Sequence, residues 1–422
     1  MQNFLAETKH IICTMITVLV ICFLLIVTVN LIPTSCIHKN VDKTAKIMFR
    51  QGNAPIIGGS VVENFSDADA IAITYNKEDE KPFYYALYAY NYYIGNHGAN
   101  RGVGALKATV DKLVDKSKIY EHSQEWHGYQ IWLKPLLCFT DINVIRILTF
   151  SIVNMLAILL CIKIVRNAKN HLAFLPFCLS FLAFNYSFAS LSFLLATDIT
   201  IGLIGSYLVI KYYNHSRQYR LWMYIGAIAS YFSMANMPMV TVGLPLVTFL
   251  SIATKDTAMN FVQKFKALTI YSFSWLLGYS ILTFSKIIIS KLLLGAKNGV
   301  FGLKWYTGMV MGLTFQEKIN LANSAFLRIT HLNFYLYIIS ILILTVIILG
   351  IYRKRLNKKD LGNIVLYLIV ALIPYIWSLV MPITCNIWWT TILYAISMYS
   401  ILQMIFDLCA KVFIYKNDTL TT

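Results

Sequence analysis

Long apolar segments alternate with short polar ones along most of this chain. Several of them approach or exceed the ~20 apolar residues that a helix needs to cross a hydrocarbon core of ~30 Å. The pattern predicts an all-α polytopic membrane protein, a single integral membrane domain over residues 1–422 with about ten transmembrane helices. The predicted spans are residues 11–32, 142–165, 171–190, 193–212, 221–236, 237–254, 268–294, 333–352, 362–382 and 387–409.

The charge pattern adds only the orientation of the predicted spans across the membrane. The chain is 13% charged, and its formal net charge is +17. Such a charge first suggests an anionic partner, but nucleic-acid binding would need a basic face on a folded soluble domain. Here the basic residues cluster in the loops on one side of the predicted spans, as they do in cytoplasmic loops. We therefore expect both termini inside, the lipid bilayer as a partner and no nucleic-acid partner.

One long polar segment, residues 34–141, interrupts the apolar pattern after the first span. We expect it to be a large outer loop inserted between helices 1 and 2, with short amphipathic helices. Residues 105–116 have apolar side chains at helical spacing, and residues 126–137 resemble an interfacial helix. A second outer loop, residues 295–332, repeats apolar residues at spacings of four and three, which predicts another amphipathic helix.

The first outer loop contains the best acid pair, Asp67 and Asp69 in the string FSDADA. In a loop, two carboxylates two residues apart can face one hydroxyl as a general base, or one hard cation. On a helix the same side chains diverge, and Asp67 then simply helps a solvated helix to start. Asp67 and Asp69 are the candidate catalytic residues, and the candidate metal ligands if a divalent cation takes part.

Aromatic residues are dense in the same loop. Trp126, His127 and Tyr129 lie in the string EWHGYQIWLKPLL just before the second span. Trp and Tyr at this height usually anchor a helix at the interface, whereas His127 could also donate to a phosphate or assist proton transfer. The run from Phe83 to Tyr93, FYYALYAYNYY, fits stacking on sugar rings or apposition to the membrane.

Two ionisable residues lie inside predicted spans. Asp198 is near the outer end of the fourth span, where it faces a wet cavity or caps nearby backbone. Lys286 lies in the seventh span, deeper than Lys291, so simple snorkelling to the interface is less favourable for it. Asp198 and Lys286 are predicted at similar depth, and each is a candidate partner of the other.

Motifs of other classes are missing from the sequence. Cys36 and Cys138 flank the outer loop and could pair if the loop folds back, but spacing alone does not establish this. No CxxC or Cys/His zinc pattern is present. No P-loop, HExxH or GxGxxG string has a supporting context. A soluble nucleotide-using active site is therefore not expected.

Two strings resemble a known set of polytopic membrane proteins of Gram-positive bacteria. EWHGYQIWLKPLL followed by Ile145 and Arg146 resembles their YWHGY-L-x-x-LRPLL-like run and Ile-Arg pair. Ser285-Lys286-Ile287 and the later Gly-Ala-Lys-Asn turn at 295–298 resemble their ASKW-like string and Gly-Glu-Asn-like turn. These proteins look like C-type (GT-C) glycosyltransferases. The resemblance spans most of the chain, although only these strings are specific.

The resemblance implies a plasma-membrane enzyme that transfers a sugar from a polyprenyl-phosphate donor to a cell-envelope glycan on the outer face. Lys286, with Arg146 or His127, would meet the lipid phosphate. Asp67 or Asp69 would activate the acceptor hydroxyl or hold a divalent cation. Trp126, Tyr129 and Asp198 are the remaining candidate substrate-binding residues.

One departure from the family pattern keeps two alternatives open. Relatives are expected to carry a Trp-Phe-Thr-Tyr-Arg-like string before the last helix, and this chain has CNIWWTTILYA with Ile392 in the place of the Arg. The alternatives are a flippase or transporter of lipid-linked glycans and a catalytically inactive scaffold of an envelope complex. A transporter needs polar residues through both leaflets, whereas nearly all intramembrane polar residues here lie toward the predicted outer side.

The charge pattern makes a topological prediction. Single cysteines introduced as Asn100→Cys and Asn357→Cys, in a background without the other cysteines, are probed with an impermeant thiol reagent in intact cells. We expect labelling at position 100, in the first outer loop, and none at position 357, which follows a basic inner loop. The reverse labelling would invert the assignment.

Overall fold

The computed structural model describes residues 2–57, 60–77, 81–92, 102–114, 119–233, 237–294, 313–328, 343–344, 346–348, 350–351, 356–380 and 390–411. The helices, in chain order, are α1 (Gln2–Asn30), α2 (Thr34–Gln51), α3 (Asn64–Tyr75), α4 (Pro82–Leu87), α5 (Val103–Val110), α6 (Gln130–Phe139), α7 (Ile142–Ala168), α8 (Leu175–Ala183), α9 (Tyr186–Ala189), α10 (Phe193–Lys211), α11 (Gln218–Phe232), α12 (Pro238–Ala253), α13 (Phe261–Leu294), α14 (Phe315–Arg328), α15 (Lys358–Ala371), α16 (Ile373–Val380), α17 (Thr390–Leu393) and α18 (Ala395–Cys409). Two antiparallel ribbons pair β1 (Ile56–Ile57) with β2 (Ser60–Val61) and β3 (Tyr90–Tyr92) with β4 (Ile119–Glu121).

Five helical stretches are long and apolar enough to cross a membrane. They are Glu7–Asn30, Ile142–Ala168, Phe193–Lys211, Phe261–Leu294 and Lys358–Leu379. Helices α12 and α18 are apolar but shorter. The described residues therefore confirm an all-α chain whose helices are compatible with a membrane protein.

Two of the predicted spans are not seen as single helices in the described residues. Residues 171–190 do not form one helix, because α8 ends before Asn185, which adopts a left-handed conformation at φ 52°, and α9 follows. Most of the predicted span 333–352 lies outside the described residues.

Residues 34–141, which we call the polar unit, form a helical layer rather than a loose loop. Helix α2 occupies most of residues 34–57 and buries Ile37, Val41 and Met48 on one face. That face packs on α3, α5 and α6. The apolar face is what drives this segment to fold, because it removes side chains from water.

Three other predictions for the outer segments need adjustment. Helix α5 ends at Val110, before the end of the helix predicted at 105–116. Of the helix predicted at 126–137, only the part from Gln130 onward is helical, as α6, and residues 126–129 before it form no helix. Helix α14 lies within the predicted second outer loop 295–332, of which residues 313–328 are described. Cys36 and Cys138 are both free thiols. Asn40 Nδ2 donates to the carbonyl oxygen of Leu137 at 2.9 Å, so the segment does fold back and brings its two ends together.

The basic ends of the long helices meet at one end of the bundle. Glu7 of α1 accepts hydrogen bonds from Arg220 of α11, with Nε at 2.8 Å. At the same end, Lys264 of α13 donates to Asn363 of α15 over 3.2 Å. The polar unit contacts the opposite ends of α10 and α13. The alternation of helix direction agrees with the alternation of charge in the sequence.

Helices α11 and α13 approach closely at two glycines. A Cβ atom on Gly226 would lie 2.0 Å from the carbonyl oxygen of Trp275. A Cβ atom on Gly278 would lie 1.9 Å from the carbonyl oxygen of Met223. Each glycine faces the backbone of the other helix, which is the small-residue packing that lets apolar helices associate.

This contact gives a stability prediction. Gly226→Ala and Gly278→Ala should each destabilise the protein by at least about 1–3 kcal/mol, because the added methyl group meets backbone that a rotamer change cannot move. The measurement is thermal denaturation of the detergent-purified protein. Thr269→Ala, an exposed position on α13, is the control and should melt like the wild type. Equal melting temperatures for all four proteins would contradict the close packing.

Candidate functional site

Asp67 lies at the junction between the polar unit and α10. It is 0% exposed and accepts hydrogen bonds from the Ser192 hydroxyl at 2.9 Å and from the backbone N–H groups of Phe193 at 3.1 Å and Leu194 at 3.2 Å. These donors are the first amides of α10, which have no partner within their own helix. The Asp67 carboxylate therefore joins α3 to the start of a candidate span.

Burial sets the protonation of this group. Removal from water raises the pKa of Asp67 to about 7, against the opposing effects of the α10 amides, Ser192 and the positive charge of Arg146. Helix α3 does not use Asp67 to start: Glu63 caps it by accepting from Ser66 N at 2.7 Å. Burial likewise raises the pKa of Glu63 to about 8.

Asp69 diverges from Asp67, as two residues so spaced do on a helix. It accepts a hydrogen bond from Asn91 Nδ2 at 3.0 Å. It is only partly buried. Burial and then the charges of Glu125 and Asp69 raise the pKa of Tyr129 well above its usual range; Tyr129 closes the WHGY turn (residues 126–129).

The WHGY turn is fixed by contacts with two long helices. Trp126 Nε1 donates to the carbonyl oxygen of Leu282 in α13 at 2.7 Å. Gly128 N donates to Tyr231 O of α11 at 2.9 Å, and a Cβ on Gly128 would come within 2.6 Å of that oxygen. His127 adopts a left-handed conformation at φ 55°. The turn is therefore built into the bundle and is not only a surface anchor.

His127 uses both ring nitrogens within the protein. Its Nε2 lies 2.8 Å from the carbonyl oxygen of His122, which can only accept, so Nε2 carries the proton. Its Nδ1 then accepts from the Tyr129 hydroxyl at 3.2 Å. Burial, together with the nearby charges of His122, Lys286 and Lys77, lowers the pKa of His127 well below its usual range. A neutral His127 positions Tyr129 and supplies no positive charge to a phosphate.

Lys286 is buried where α13 meets the polar unit. It is 1% exposed, and its Nζ donates to the carbonyl oxygen of Ala86 at 2.8 Å and lies 5.2 Å from the centre of the Trp126 ring. One turn further along α13, Ser290 donates to Leu87 O at 3.2 Å. Asp198 was predicted as a candidate partner of Lys286. It instead accepts from Ser233 Oγ at 3.3 Å and Met237 N at 3.1 Å.

Two further lysines share this neighbourhood. Lys77 donates to Asn30 Oδ1 at 2.7 Å and to Gln130 Oε1 at 2.5 Å. Burial and then the positive charges of Lys134 and Lys286 lower the pKa of Lys77 well below its usual range. Lys134, on α6, is 0% exposed. We call Lys77, Lys134 and Lys286 the lysine cluster.

Two asparagine side chains beside the lysine cluster add further buried hydrogen-bond donors. Asn30 gives its oxygen to Lys77, and its Nδ2 is buried with no acceptor among the described residues. Asn76, next in the chain to Lys77, also buries an Nδ2 group with no acceptor in the part of the chain that the structure describes. Buried polar groups are usually satisfied. Excess donors beside buried cations are what an oxyanion requires.

Arg146 belongs to a different network. It is 4% exposed and donates to Gln51 Oε1 at 2.9 Å and to Asn64 Oδ1 at 2.5 Å. Its charge acts on Asp67, as the pKa of that group shows. The structure thus divides the predicted residues. Trp126, His127, Tyr129 and Lys286 lie together, Asp67 and Arg146 stabilise the junction with α10, Asp69 accepts from Asn91, and Asp198 lies apart.

The tyrosines of the Phe83–Tyr93 run form a continuous set of ring contacts. The Tyr84 and Tyr88 ring centroids are 5.0 Å apart, those of Tyr88 and Tyr90 5.4 Å, and those of Tyr90 and Tyr92 5.4 Å. Phe83 is 63% exposed. The rings form one aromatic patch, as the sequence suggests for either sugar stacking or membrane apposition.

A metal centre is not apparent in the described residues, which contain no group of three or more His, Cys, Asp or Glu side chains able to hold an ion. Asp67 directs its oxygens to α10, so the acid pair does not converge on one cation. Ile392, at the departure from the family pattern, is 7% exposed in the apolar core. Its neighbours Trp388 and Trp389 lie outside the described residues.

Sequence reasoning missed Lys77 and Lys134. Lys134 lies in the WLKPLL string, where its apolar neighbours predict an interfacial helix, and Lys77 follows α3 in a polar stretch. A lysine within an otherwise apolar string, between Leu133 and Pro135, was the available signal for Lys134. Comparison with protein-family models, with curated proteins and with solved structures found no match for this chain.

The placement of Asp67 gives a test against its neighbour Asp69. Asp67→Asn should destabilise the protein by about 1–3 kcal/mol, because both carboxyl oxygens of Asp67 accept hydrogen bonds here and the amide nitrogen that replaces one of them cannot accept. Asp69→Asn should leave the melting temperature near that of the wild type. A matched loss of stability in both variants would contradict the structural role of Asp67.

The pKa of Asp67 also predicts how the stability of the protein depends on pH, with the Asp69 variant as the comparison. The folded pKa of Asp67, about 7, exceeds its ordinary value of 3.8, so the folded state holds this proton more tightly than the unfolded chain. The resulting stabilisation is complete below pH ~4 and is lost as the pH rises through ~7. The fall in melting temperature between pH 5 and pH 8 should therefore be smaller in Asp67→Asn than in Asp69→Asn.

Proposed function

We propose that this protein is a membrane glycosyltransferase that transfers a sugar from a polyprenyl-phosphate donor to a cell-envelope glycan on the outer face of the plasma membrane. The observation that carries the proposal is the lysine cluster. Three lysines, of which Lys134 and Lys286 are fully buried, lie where the polar unit meets the candidate membrane-spanning helix α13, beside asparagine amides that have no acceptor among the described residues. An anion on a lipid reaches such a place from within the bilayer.

The lysine cluster suits the leaving group of this reaction. In the transfer, the acceptor oxygen forms a bond to the anomeric carbon, and the bond between that carbon and the phosphate oxygen breaks. The electron pair leaves with the phosphate, whose negative charge rises in the transition state. Preorganised donors in a site without water stabilise such charge most effectively, and lysines that are already desolvated need little rearrangement.

Asp69 is the acid that fits the role of general base in this proposal. It is only partly buried, and its described hydrogen bond is to the side chain of Asn91, so it is not engaged by the amides of α10 as Asp67 is. It would accept the proton of the acceptor hydroxyl as the new bond forms. Asp67 is engaged by the first amides of α10 and contributes by holding α3 in place.

The proposed topology follows the charge pattern and the helix ends. We propose ten spans with both termini inside and the polar unit outside, including the spans that the described residues cover only in part. The meeting of basic helix ends at the side away from the polar unit supports this arrangement. The aromatic patch of Tyr84, Tyr88, Tyr90 and Tyr92 would then face the envelope, where stacking on the acceptor glycan is its proposed use.

Donor binding tests the proposal. Purified Lys286→Met should bind undecaprenyl phosphate about tenfold to a hundredfold more weakly than the wild type, because one charge-assisted contact with the phosphate is lost. Lys291→Met is the matched control, since Lys291 lies on the same helix and is exposed, and it should bind normally. Both variants should melt no lower than the wild type, since Lys286 has a single hydrogen bond to a backbone oxygen.

A third variant separates binding from catalysis. Asp69→Asn should bind the lipid normally and transfer sugar about 10²–10⁴-fold more slowly. Unaltered binding of the lipid by Lys286→Met would overturn the assignment of the lysine cluster. Wild-type protein that binds the lipid but never transfers sugar would instead favour the flippase or the inactive scaffold.

A further inference from the structure

A large cavity lies at the opposite end of the bundle from the polar unit. Its volume is about 780 Å³, and it is formed where the ends of α7, α12, α15 and α18 meet. A second cavity of about 420 Å³ adjoins it and shares Ala168 and Lys255 with it. This end carries the basic helix termini, and the site is independent of the proposed glycosyltransferase chemistry.

The two carboxylates in the wall of the larger cavity are already satisfied by the protein. Asp407 accepts from the Tyr367 hydroxyl at 2.7 Å and pairs with Lys255 at 3.5 Å. Asp360 pairs with Lys411 at 2.5 Å and also accepts from the Asn357 backbone at 2.8 Å. Neither acid is therefore available to neutralise a further cation.

Positive charge and donors remain after these pairs are formed. Lys359 lines the cavity, is exposed and pairs with no carboxylate among the described residues. Asn363 gives its oxygen to Lys264, which is 0% exposed and also donates to Thr254 O at 3.5 Å. The Nδ2 group of Asn363 is then the part of that side chain left to donate. Behind the wall, the buried Lys264 adds a second positive charge.

Apolar residues form the rest of the wall. Ile364, Met404 and Leu408 line the same cavity as the lysines. A site with a cationic rim and an apolar interior between helices suits an anionic head group with an attached hydrocarbon part. The volume lies within the range of small-ligand sites.

We propose that this cavity binds a phosphoryl group, carried by an anionic lipid or by a soluble phosphate ester, with Lys359 and Asn363 as its donors. Lys255 and Lys411, held in place by Asp407 and Asp360, complete the positive rim. No bond is made or broken in this step, and the role is recognition of the anion.

Calorimetry on the purified full-length protein tests this. The probes are dihexanoylphosphatidylglycerol, dihexanoylphosphatidylcholine and glycerol 3-phosphate. We expect phosphatidylglycerol or glycerol 3-phosphate to bind and phosphatidylcholine to bind at least tenfold more weakly, since its head group has no net charge. Lys359→Gln should weaken the anion about tenfold, and Lys359→Arg should restore most of the binding.

The controls separate charge at this site from charge elsewhere. Lys358→Gln removes an exposed lysine next in the chain that does not line the cavity, and it should bind as the wild type does. Binding of the lipid without glycerol 3-phosphate identifies a membrane source, and binding of both, in competition, identifies a soluble one. Binding of neither anion, equal binding of phosphatidylcholine, or an equal effect of Lys358→Gln would each overturn the proposal.

Discussion

Burying positive charge at the junction of the polar unit and α13 is the constraint on which the rest of this structure depends. An isolated charge in an apolar interior is costly unless it is paired and hydrogen-bonded. The protein meets this by directing backbone oxygens at the junction: Lys286 donates to Ala86 O, and the Trp126 ring lies close by. Lys77 is held by the amide oxygens of Asn30 and Gln130. The carboxylate that a purely structural lysine would usually choose is not among these partners.

The polar unit is held on the helices by polar contacts that are each specific in geometry. Asp67 binds the first amides of α10, and Trp126 and Gly128 bind backbone oxygens of α13 and α11. Because these contacts use helix ends and main-chain atoms, they fix the distance between the WHGY turn and Lys286. The site is thus assembled by the same bonds that attach the polar unit. Loosening the attachment would loosen the proposed anion site as well.

The two ends of the bundle use charge differently. At the end beside the polar unit, Lys286 is enclosed and donates to a backbone oxygen, an arrangement that would suit the lipid-borne anion of the proposed function. At the other end, lysines pair with Asp360 and Asp407 at the rim of an open cavity, and Lys359 remains available. Enclosed charge binds strongly where the ligand can replace lost hydration, whereas rim charge is screened by solvent and salt. This difference is why we propose chemistry at the first end and recognition of an anion at the second.

The sequence by itself determined the all-α class, the long apolar helices, the amphipathic α14 and the separation of the polar unit, because these depend on periodicity and length, which are local properties. It also identified Asp69, the WHGY turn and Lys286 as candidates. Only the tertiary structure decided that Asp67 binds α10, that Arg146 lies with Asp67, and that Lys77 and Lys134 join Lys286. Those relations link residues tens to hundreds of positions apart, as in the contact between Asp67 and Phe193. The burial that makes a lysine functional is a property of what packs around it, and no local pattern of side chains records it.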